Sequence, residues 1–388
     1  MREAALNDLE EIFENLYGRP RRFIFFSPGR VNLIGDHIDY NGGNVLPAAL
    51  SKGIYALLAP REDNKLILNS LSLPGQLEVD LNKLEHKEES YTWANYIRGV
   101  GYFLQKRGVS LKGADVLIAS TLPAAAGLSS SAALEVLAAR FFLYLAGREM
   151  DPIEIALMCQ QVENQYVGVN CGIMDQFSVT MGKKDHAILL NTQNLSYRYI
   201  PVSLGDYQFL ILHTGKKREL AHSQYNQRRQ ECEEALEKLK KRQGIQNLVE
   251  AEIDDARKVL GESVLFRRVR HVVSENQRVF AFARSLERGE VSELGRLMNE
   301  SHLSLKNDYE VTGVELDTLQ KLCVSHTGCV GCRMTGAGFG GAVVALVKKA
   351  ERDVFSQEVM AEYMKIIANK PSVYDVEISD GASLLNEI

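Results

Sequence analysis

The chain has 388 residues, 45% of them hydrophobic and 24% charged, with a formal net charge of −5. This length exceeds what one hydrophobic core usually serves, so two domains are expected. The mild charge offers no basic face for nucleic acid and no attraction to an anionic membrane. No stretch reaches the roughly 20 apolar residues of a membrane helix, and the acidic N-terminus does not resemble a signal peptide. Six cysteines in a chain of this length, three of them scattered (Cys159, Cys171 and Cys232), indicate reduced thiols in a cytoplasm rather than a disulfide framework.

The first half of the chain mixes strand-like and helical patterns. Strands are predicted at residues 22–26, 53–60, 65–70, 113–121, 186–191 and 208–214. Helices are predicted at 93–108, after a serine-rich loop, and at 151–168, where Asp151 would cap a helix that has Pro152 at its first position. The irregular alternation favours an α+β fold over a doubly wound sheet.

The pattern changes near residues 191–207, so we predict one domain at residues 1–203 and a second at 204–388. The second half predicts long charged helices and a glycine-rich hairpin that contains GAGFGG at 336–341. GAGFGG matches the G-x-G-x-x-G fingerprint of dinucleotide binding in its letters. A strand rather than a helix is predicted to follow it, so we reject dinucleotide binding at this loop. We expect instead that its backbone approaches another group closely.

A C-x-x-C pair lies at Cys329 and Cys332, with Cys323 and His326 nearby. Structural zinc sites usually show two such pairs at a fixed separation, and only one is present here. The pattern therefore favours small buried residues beside a strand.

The segment LPAAAGLSSSAALEV, residues 122–136, follows a predicted strand and opens a predicted helix. Unpaired N–H groups in a first helical turn, together with the helix dipole, favour an anion. Three serines after Gly127 exceed what an ordinary N-cap needs, and a serine hydroxyl there can ligate the magnesium of a nucleotide. The common G-x-x-x-x-G-K-[ST] loop does not occur in the sequence, so a nucleotide would bind by another design.

The segment GRVNLIGDHIDYNGGNVLP, residues 29–47, combines Arg30, Asp36, His37 and Asp39 with several glycines. This mixture of charge and backbone freedom indicates a site rather than simple packing. Metal ligation and hydrogen bonding to a polyhydroxyl ligand both suit these side chains. The chain has no H-E-x-x-H pattern here, and we favour a sugar over a metal.

Three motifs stand in order along the chain: SPGRVNLIGDHIDYNGGNVLP, LPAAAGLSSSAALEV and RMTGAGFGGAVV. Together they resemble the GHMP family of small-molecule kinases, and the first is similar to the signature of its galactokinase branch. Further similar segments, such as WANYIRGV and CGIMDQF, extend the resemblance over most of the chain. It implies an N-terminal domain with a left-handed βαβ crossover, a ferredoxin-like C-terminal domain and an active site between them. It also implies a monomer that uses ATP and Mg²⁺ to phosphorylate the anomeric hydroxyl of α-D-galactose.

The resemblance implies roles for individual residues. Asp175 matches the family's catalytic aspartate, which accepts or orients the hydroxyl proton, and Arg30 matches an arginine that keeps Asp175 ionised and stabilises phosphoryl oxygens. Ser131 and Glu163 match the magnesium ligands. The positions that match sugar contacts are Asp36, His37, Asp39, Gly172 and Tyr225. The positions that match the ATP loop are Gly127, Leu128, Ser129, Ser130, Ser131 and Ala132.

Asp36 departs from the family, which usually has a glutamate at this position, so altered sugar selectivity is a hypothesis. One alternative is a kinase for another galacto-configured sugar, N-acetylgalactosamine or L-arabinose. A second alternative is a galactose sensor without catalysis. Sensors have a shortened serine loop, whereas GLSSSAAL is intact here and both Arg30 and Asp175 are present. These features favour an enzyme.

Overall fold

A computed structural model describes residues 3–89, 93–123, 127–216 and 221–387. The strands of the first half are β1 (Phe23–Asn32), β2 (Asn44–Val45), β3 (Pro47–Pro60), β4 (Lys65–Ser70), β5 (Leu77–Asp80), β6 (Ala114–Ser120), β7 (His186–Asn191) and β8 (Tyr197–Pro201). Its helices are α1 (Glu3–Tyr17), α2 (Ala94–Lys106), α3 (Ser130–Leu145), α4 (Pro152–Gln161) and α5 (Met174–Met181). A π-helical segment, Val162–Val167, continues directly from α4.

The second half supplies five strands and six helices to the described structure. The strands are β9 (Tyr207–His213), β10 (Cys329–Thr335), β11 (Ala342–Lys348), β12 (Ser372–Asp375) and β13 (Ser383–Glu387). The helices are α6 (Ala221–Gln243), α7 (Ile253–Leu260), α8 (Val264–Arg288), α9 (Val291–Ser304), α10 (Val314–Ser325) and α11 (Arg352–Ile366). A second π-helical segment, Leu305–Tyr309, continues from α9.

The largest sheet has six strands in the order β13-β1-β3-β6-β4-β5. Strands β4 and β6 are parallel, and the chain between them runs through β5 and α2, which gives a βαβ unit. Strand β1 is buried over its whole length because both of its faces are covered. Phe23 and Phe25 pack in the cluster that contains α2 and α3, whereas Ile24 and Phe26 pack against Phe13 of α1. This alternation follows from the two-residue period of a strand.

The second half forms an antiparallel sheet in the order β10-β11-β9-β12, and a smaller sheet has the order β2-β7-β8. One hydrophobic cluster joins the two halves, since Val45 of β2 and Val279 of α8 belong to it together. Strand β13 returns to the first sheet and pairs with β1. Strand β13 belongs to the second predicted domain in sequence but pairs in the sheet of the first. The boundary at 203/204 therefore stays a prediction.

Most of the predicted elements are confirmed, as is the α+β class. Helix α4 begins at Pro152, and the Asp151 carboxylate accepts a hydrogen bond from the N–H of Ile153 at 2.8 Å. The prediction of one helix over 151–168 misses the change to π-helical winding after Gln161. Strand β1 extends six residues beyond the predicted 22–26, to Asn32, with an irregularity between Pro28 and Arg30. Strand β8 was not predicted.

The glycine-rich hairpin is confirmed, since β10 and β11 pair antiparallel and a strand does follow GAGFGG. All six cysteines are free, and Cys323 and Cys332 are buried as expected. Within the described ranges, no group of three or more His, Cys, Asp or Glu side chains is placed to hold a metal ion. No helix in the described part of the chain combines the length and apolar character needed to cross a membrane.

Candidate active site

A cavity of about 350 Å³ lies where the two halves of the chain meet. Strand β1, the loop after it, the loop before α3, the π-helical segment after α4 and the β10–β11 hairpin all contribute to its wall. Every predicted site residue except Ala132 lines this cavity. Ala132 lies in the first turn of α3, and its side chain packs in the hydrophobic core.

Arg30 and Asp175 form a two-pronged ion pair at the centre of the cavity. The Arg30 Nε donates to Asp175 Oδ1 at 2.8 Å and Nη2 donates to Oδ2 at 2.9 Å. Arg30 Nη1 also donates to the carbonyl of Gly127 at 2.7 Å, which links β1 to the serine loop. The Arg30 side chain is 5% exposed and that of Asp175 is 28% exposed. A fixed cation thus holds a carboxylate that remains open to a ligand.

The serine loop is strained and closely packed on β1. Ser129 has a φ of 60°, in the left-handed region that a non-glycine residue rarely adopts, and its hydroxyl donates to Asp175 Oδ2 at 2.6 Å. The N–H of Arg30 donates to the carbonyl of Leu128 at 3.2 Å. A Cβ at Gly29 would lie 2.7 Å from that carbonyl, so only glycine permits the approach. The loop and the first turn of α3 are therefore held next to Asp175.

Ser131 and Glu163 both line the cavity, Ser131 from the start of α3 and Glu163 from the π-helical segment. Burial raises the pKa of Glu163, whereas the Cys171 thiol and the Ser131 hydroxyl act in the opposite direction. One carboxylate and one hydroxyl are the hard oxygen donors that Mg²⁺ takes from a protein when nucleotide phosphates and water supply the rest. The residues present therefore fit a magnesium ion.

A second carboxylate lies behind Glu163. Glu135 of α3 and Gln176 of α5 are fully buried, and the Gln176 side-chain amide donates to both Glu135 and Glu163. Burial and the charge of Glu163 raise the pKa of Glu135 well above its usual value. Sequence reasoning missed both residues, although Glu135 is an acid within an otherwise apolar helical face.

At the other end of the cavity, Asp36 is held by groups from the second half of the chain. Its Oδ2 accepts from Arg333 Nη2 at 2.6 Å, and its Oδ1 accepts from the N–H of Gly336 at 3.0 Å. Burial raises the pKa of Asp36, and the charges of Arg333 and Arg30 act against that shift. Arg333 is fully buried and also lies 3.7 Å from Glu275.

His37 adopts a φ of 64° and stands at the end of a hydrogen-bonded chain. Burial lowers its pKa to about 3, so the ring is neutral. Its Nε2 lies 3.2 Å from the carbonyl of Ala337 and must donate, so Nδ1 accepts from the Tyr40 hydroxyl at 2.9 Å. Tyr309 then donates to Tyr40 at 2.9 Å, and the Cys232 thiol donates to Tyr309 at 3.0 Å. Both ring nitrogens of His37 are thus engaged within the protein.

Asp39 and Gly172 approach each other so closely that a Cβ at Gly172 would overlap the Asp39 carboxylate. Burial, followed by the charge of Asp175, raises the pKa of Asp39 to about 7. Tyr225 of α6 closes this part of the wall, with its ring 5.6 Å from that of His37. The acids, the tyrosine and a glycine that admits close contact make a compact polar pocket suited to hydroxyl groups.

The GAGFGG hairpin approaches the site as expected, since Gly336 and Ala337 line the cavity and bond to Asp36 and His37. Gly336 has a φ of 83°, and a Cβ there would lie 3.0 Å from the carbonyl of Gly127. Sequence reasoning missed the residues that support the pocket from behind. These are Tyr40, Glu275, Tyr309 and Arg333. Tyr40 lies within the segment 29–47 and also lines the cavity, whereas Glu275 and Tyr309 lie in polar segments, SENQR and KNDYE, that no local pattern distinguishes.

Comparisons with known proteins agree with this geometry. Residues 11–60 match the galactokinase galactose-binding signature, residues 95–183 the GHMP kinases N-terminal domain and residues 282–366 the GHMP kinases C-terminal domain. The galactokinase of Clostridium acetobutylicum is 46% identical over 98% of this chain and 99% of its own length. The galactokinase of Staphylococcus carnosus is 43% identical over 98% and 99%.

Solved structures give the same result. The crystal structure of Lactococcus lactis galactokinase complexed with galactose has a TM-score of 0.95 and 40% identity, and the match covers 98% of this chain and 100% of that one. A mevalonate kinase structure has a TM-score of 0.65 at 19% identity, covers 92% of this chain and 99% of that one, and shows a likeness of fold alone. The predicted two-domain GHMP kinase fold and the predicted sugar kinase activity are confirmed. The chain belongs to the galactokinase family of GHMP kinases.

Proposed function

We propose that the Arg30–Asp175 pair catalyses transfer of the γ-phosphoryl group of ATP to the anomeric hydroxyl of α-D-galactose, giving galactose 1-phosphate and ADP. The observation that supports these roles is the partly exposed Asp175 carboxylate, which is held by Arg30 and Ser129 beside the first turn of α3. Phosphoryl transfer needs an aligned hydroxyl and compensation of charge on the transferred group, and these residues supply both.

Asp175 accepts a hydrogen bond from the anomeric hydroxyl and takes its proton as the O–P bond forms. Arg30 keeps the carboxylate in one orientation through two hydrogen bonds and presents its cation to the phosphoryl oxygens. The N–H groups of the loop from Gly127 to Ser131 and of the α3 N-terminus bind the phosphates of ATP. Ser131 and Glu163 would hold magnesium, which when bound neutralises charge on the phosphate oxygens.

The sugar occupies the pocket between Asp39, Gly172 and Tyr225. Asp39 accepts from sugar hydroxyls, and Gly172 lets the backbone approach the ring. Asp36 retains acceptor capacity beyond its bonds to Arg333 and Gly336, while His37 contributes the face of its ring because both nitrogens are engaged. A pocket built from paired polar groups rejects an epimer that leaves them unpaired.

A cytoplasmic location and a monomeric state belong to this proposal, and they are based on the sequence and the family resemblance alone. The alternative sugars are not favoured, because the galactokinase galactose-binding signature spans the segment that contains Asp36, His37 and Asp39.

The test is ADP release from magnesium ATP with D-galactose, 2-deoxygalactose, N-acetylgalactosamine, L-arabinose and D-glucose. We expect the highest kcat/KM with D-galactose and loss of turnover in Asp175→Asn. A higher kcat/KM with L-arabinose or N-acetylgalactosamine would show that this other sugar is the substrate. Asp36→Glu would then be the first substitution to test. Galactose binding without ADP release from any sugar would overturn the assignment of catalytic roles.

A further inference from the structure

Gln176 follows the proposed catalytic Asp175 on α5, but its side chain points away from the sugar pocket into buried surroundings. Its Nε2 donates to Glu163 Oε2 at 2.6 Å and to Glu135 Oε2 at 3.2 Å. An amide nitrogen has two hydrogens, so each carboxylate receives one. The two acceptors therefore fix the orientation of the amide, with its nitrogen toward Glu163.

This arrangement leaves other buried atoms without partners. Among the described residues, Gln176 Oε1 and Glu135 Oε1 are buried and make no hydrogen bond. Buried polar atoms are rarely left unpaired, and an exception calls for an explanation. Here the Gln176 amide N–H donates to Glu163 although the Gln176 carbonyl oxygen stays unpaired. This is expected if the role of Gln176 is to hold the Glu163 carboxylate in place.

Cys171 acts on the same carboxylate oxygen. Its thiol donates to Glu163 Oε2 at 3.2 Å from the loop before α5. Two donors thus converge on Oε2 of Glu163. Glu163 also lines the cavity together with Ser131, whose hydroxyl acts on the same carboxylate. The π-helical winding of 162–167 places Glu163 between these donors and the cavity.

We propose that Gln176, anchored by Glu135 and assisted by Cys171, is a positioning residue that fixes the Glu163 carboxylate for the metal of the metal–nucleotide complex. The inference rests on the proposed function in one respect, the choice of Glu163 as a metal ligand. Partners that orient a metal-binding carboxylate usually contribute about 10–100-fold to metal affinity. None of the three residues needs to touch ATP or galactose for this role.

The first test is Gln176→Met, which keeps much of the side-chain volume and removes both donors. Electron paramagnetic resonance measures the Mn²⁺ affinity of the purified protein in the presence of ADP. Calorimetry measures its galactose affinity. We expect Mn²⁺ affinity to fall about 10–100-fold while galactose affinity stays within about two-fold. A folded Gln176→Met protein with wild-type Mn²⁺ affinity would overturn the proposal.

Two matched pairs keep the test decisive if Gln176→Met fails to fold. Glu135→Gln retains an acceptor for Gln176, whereas Glu135→Met does not, so only the second should weaken Mn²⁺ binding. Cys171→Ser retains a donor toward Glu163, whereas Cys171→Ala removes it, so Cys171→Ala should bind Mn²⁺ less tightly than Cys171→Ser. Equal Mn²⁺ affinities within both pairs would contradict the proposal.

A double-mutant cycle separates positioning from packing. If Glu135 acts through Gln176, the double variant Gln176→Met/Glu135→Met should bind Mn²⁺ no worse than Gln176→Met alone. Independent, additive losses would show that Glu135 does not anchor Gln176. These binding measurements need no turnover, so a failure of the galactose kinase assay and a failure of this inference are distinguishable.

Discussion

The two ends of the cavity are built in different ways. At the sugar end, Asp36 and His37 already have protein partners, supplied by Arg333, Gly336, Ala337 and Tyr40. At the phosphate end, the serine hydroxyls and the N-terminus of α3 face the cavity, and a buried oxygen of Glu135 has no partner in the described part of the chain.

The difference indicates how each ligand is recognised. A pocket whose polar groups are fixed before binding has little freedom to adapt, and this favours discrimination between similar sugars. A phosphate site whose N–H and hydroxyl donors face the cavity is completed by its ligands, since phosphates would accept from those donors and a cation would bind the oxygens of Ser131 and Glu163. Substitutions at the sugar end should therefore change both the stability of the free protein and galactose binding, whereas those at the phosphate end should change activity with less effect on stability.

The largest effect is expected where the two ends meet. Asp175→Asn keeps the shape of the side chain but removes the charge that pairs with Arg30 and the capacity to take a proton. We expect kcat to fall about 10²–10⁴-fold, together with a lower melting temperature because the nearly buried Arg30 loses its counter-charge. Fixed-time assays of ADP release give kcat, and calorimetry with galactose gives the affinity for the sugar. An unchanged kcat would show that Asp175 has no role in the mechanism.

Arg333→Met should have the largest effect on stability at the sugar end. It leaves the buried Asp36 carboxylate without its cation and takes a positive charge from the neighbourhood of Glu275. Breaking a buried ion pair on one side costs about 3–5 kcal/mol. The loss should be visible as a lower urea midpoint without any ligand.

The matched control for Arg333→Met is Arg296→Met. Arg296 also has two carboxylate partners, Glu293 and Glu300, but it lies on the surface of α9. Exposed pairs contribute about 0–1 kcal/mol, so the urea midpoint should hardly move. Equal midpoints for the two variants would show that the sugar end is not held in place by its buried charges.

The sequence predicts the ligand of each end of the cavity better than it predicts the residues that hold that end in place. Arg30, Asp39 and the serine loop lie within short segments with a distinctive composition, and the family resemblance of those segments predicts that they share one site between two domains. Arg333 and Tyr309 lie about 300 and 270 residues from the loop they support. No periodicity or spacing joins residues so far apart, because only the folded chain brings β10 to the end of β1 and α8 to the loop after it.

The π-helical segments show the same limit. The pattern over 151–168 predicts a helix correctly, but helical periodicity does not distinguish an α-helix from one widened turn. Widened turns are common at functional sites, and here one presents Glu163 while the other, Leu305–Tyr309, presents Tyr309. Likewise, the donor and acceptor roles along the hydrogen-bonded chain from Cys232 through Tyr309 and Tyr40 to His37 follow only from the folded geometry.

Asp39→Asn should make the stability of the sugar end depend on pH in a way that differs from wild type. The pKa of Asp39 is raised from 3.8 to about 7, so the unfolded carboxyl ionises before the folded one and the folded state loses stability as pH rises through this window. Asparagine carries no charge. We therefore expect the free energy of unfolding of Asp39→Asn to exceed that of wild type by on the order of 4 kcal/mol at about pH 8, with a smaller gain near pH 5 and none near pH 3.

The same substitution should weaken sugar binding, because an amide offers one acceptor where the carboxylate offers two. Hydrogen bonds to charged groups contribute about 1.5–3 kcal/mol, so the KM for galactose should rise at least about ten-fold. Urea titrations across this pH range and galactose kinetics measure the two effects separately. A stability gain that does not depend on pH would contradict the raised pKa of Asp39.

The smallest expected effect concerns Tyr309→Phe, which removes the hydroxyl between Tyr40 and Cys232. Tyr40 keeps its bond to His37 but loses its donor, so His37 is held less firmly. We expect a loss of about 1 kcal/mol in the free energy of unfolding and a rise of several-fold in the KM for galactose. The KM for ATP should not change, since the phosphate end does not depend on this chain of hydroxyls.

Tyr363→Phe supplies the matched control, because Tyr363 is also fully buried and its hydroxyl donates to the carbonyl of Thr214 at 3.1 Å, away from the cavity wall. Tyr363→Phe loses one buried hydrogen bond and Tyr309→Phe loses two, so the loss of stability should be at least as large in Tyr309→Phe. Only Tyr309→Phe should change the KM for galactose. If both variants raise that KM equally, general loosening of the second half explains the effect. If only Tyr309→Phe does, the sugar end depends on a specific chain of hydroxyls that reaches His37 from Cys232.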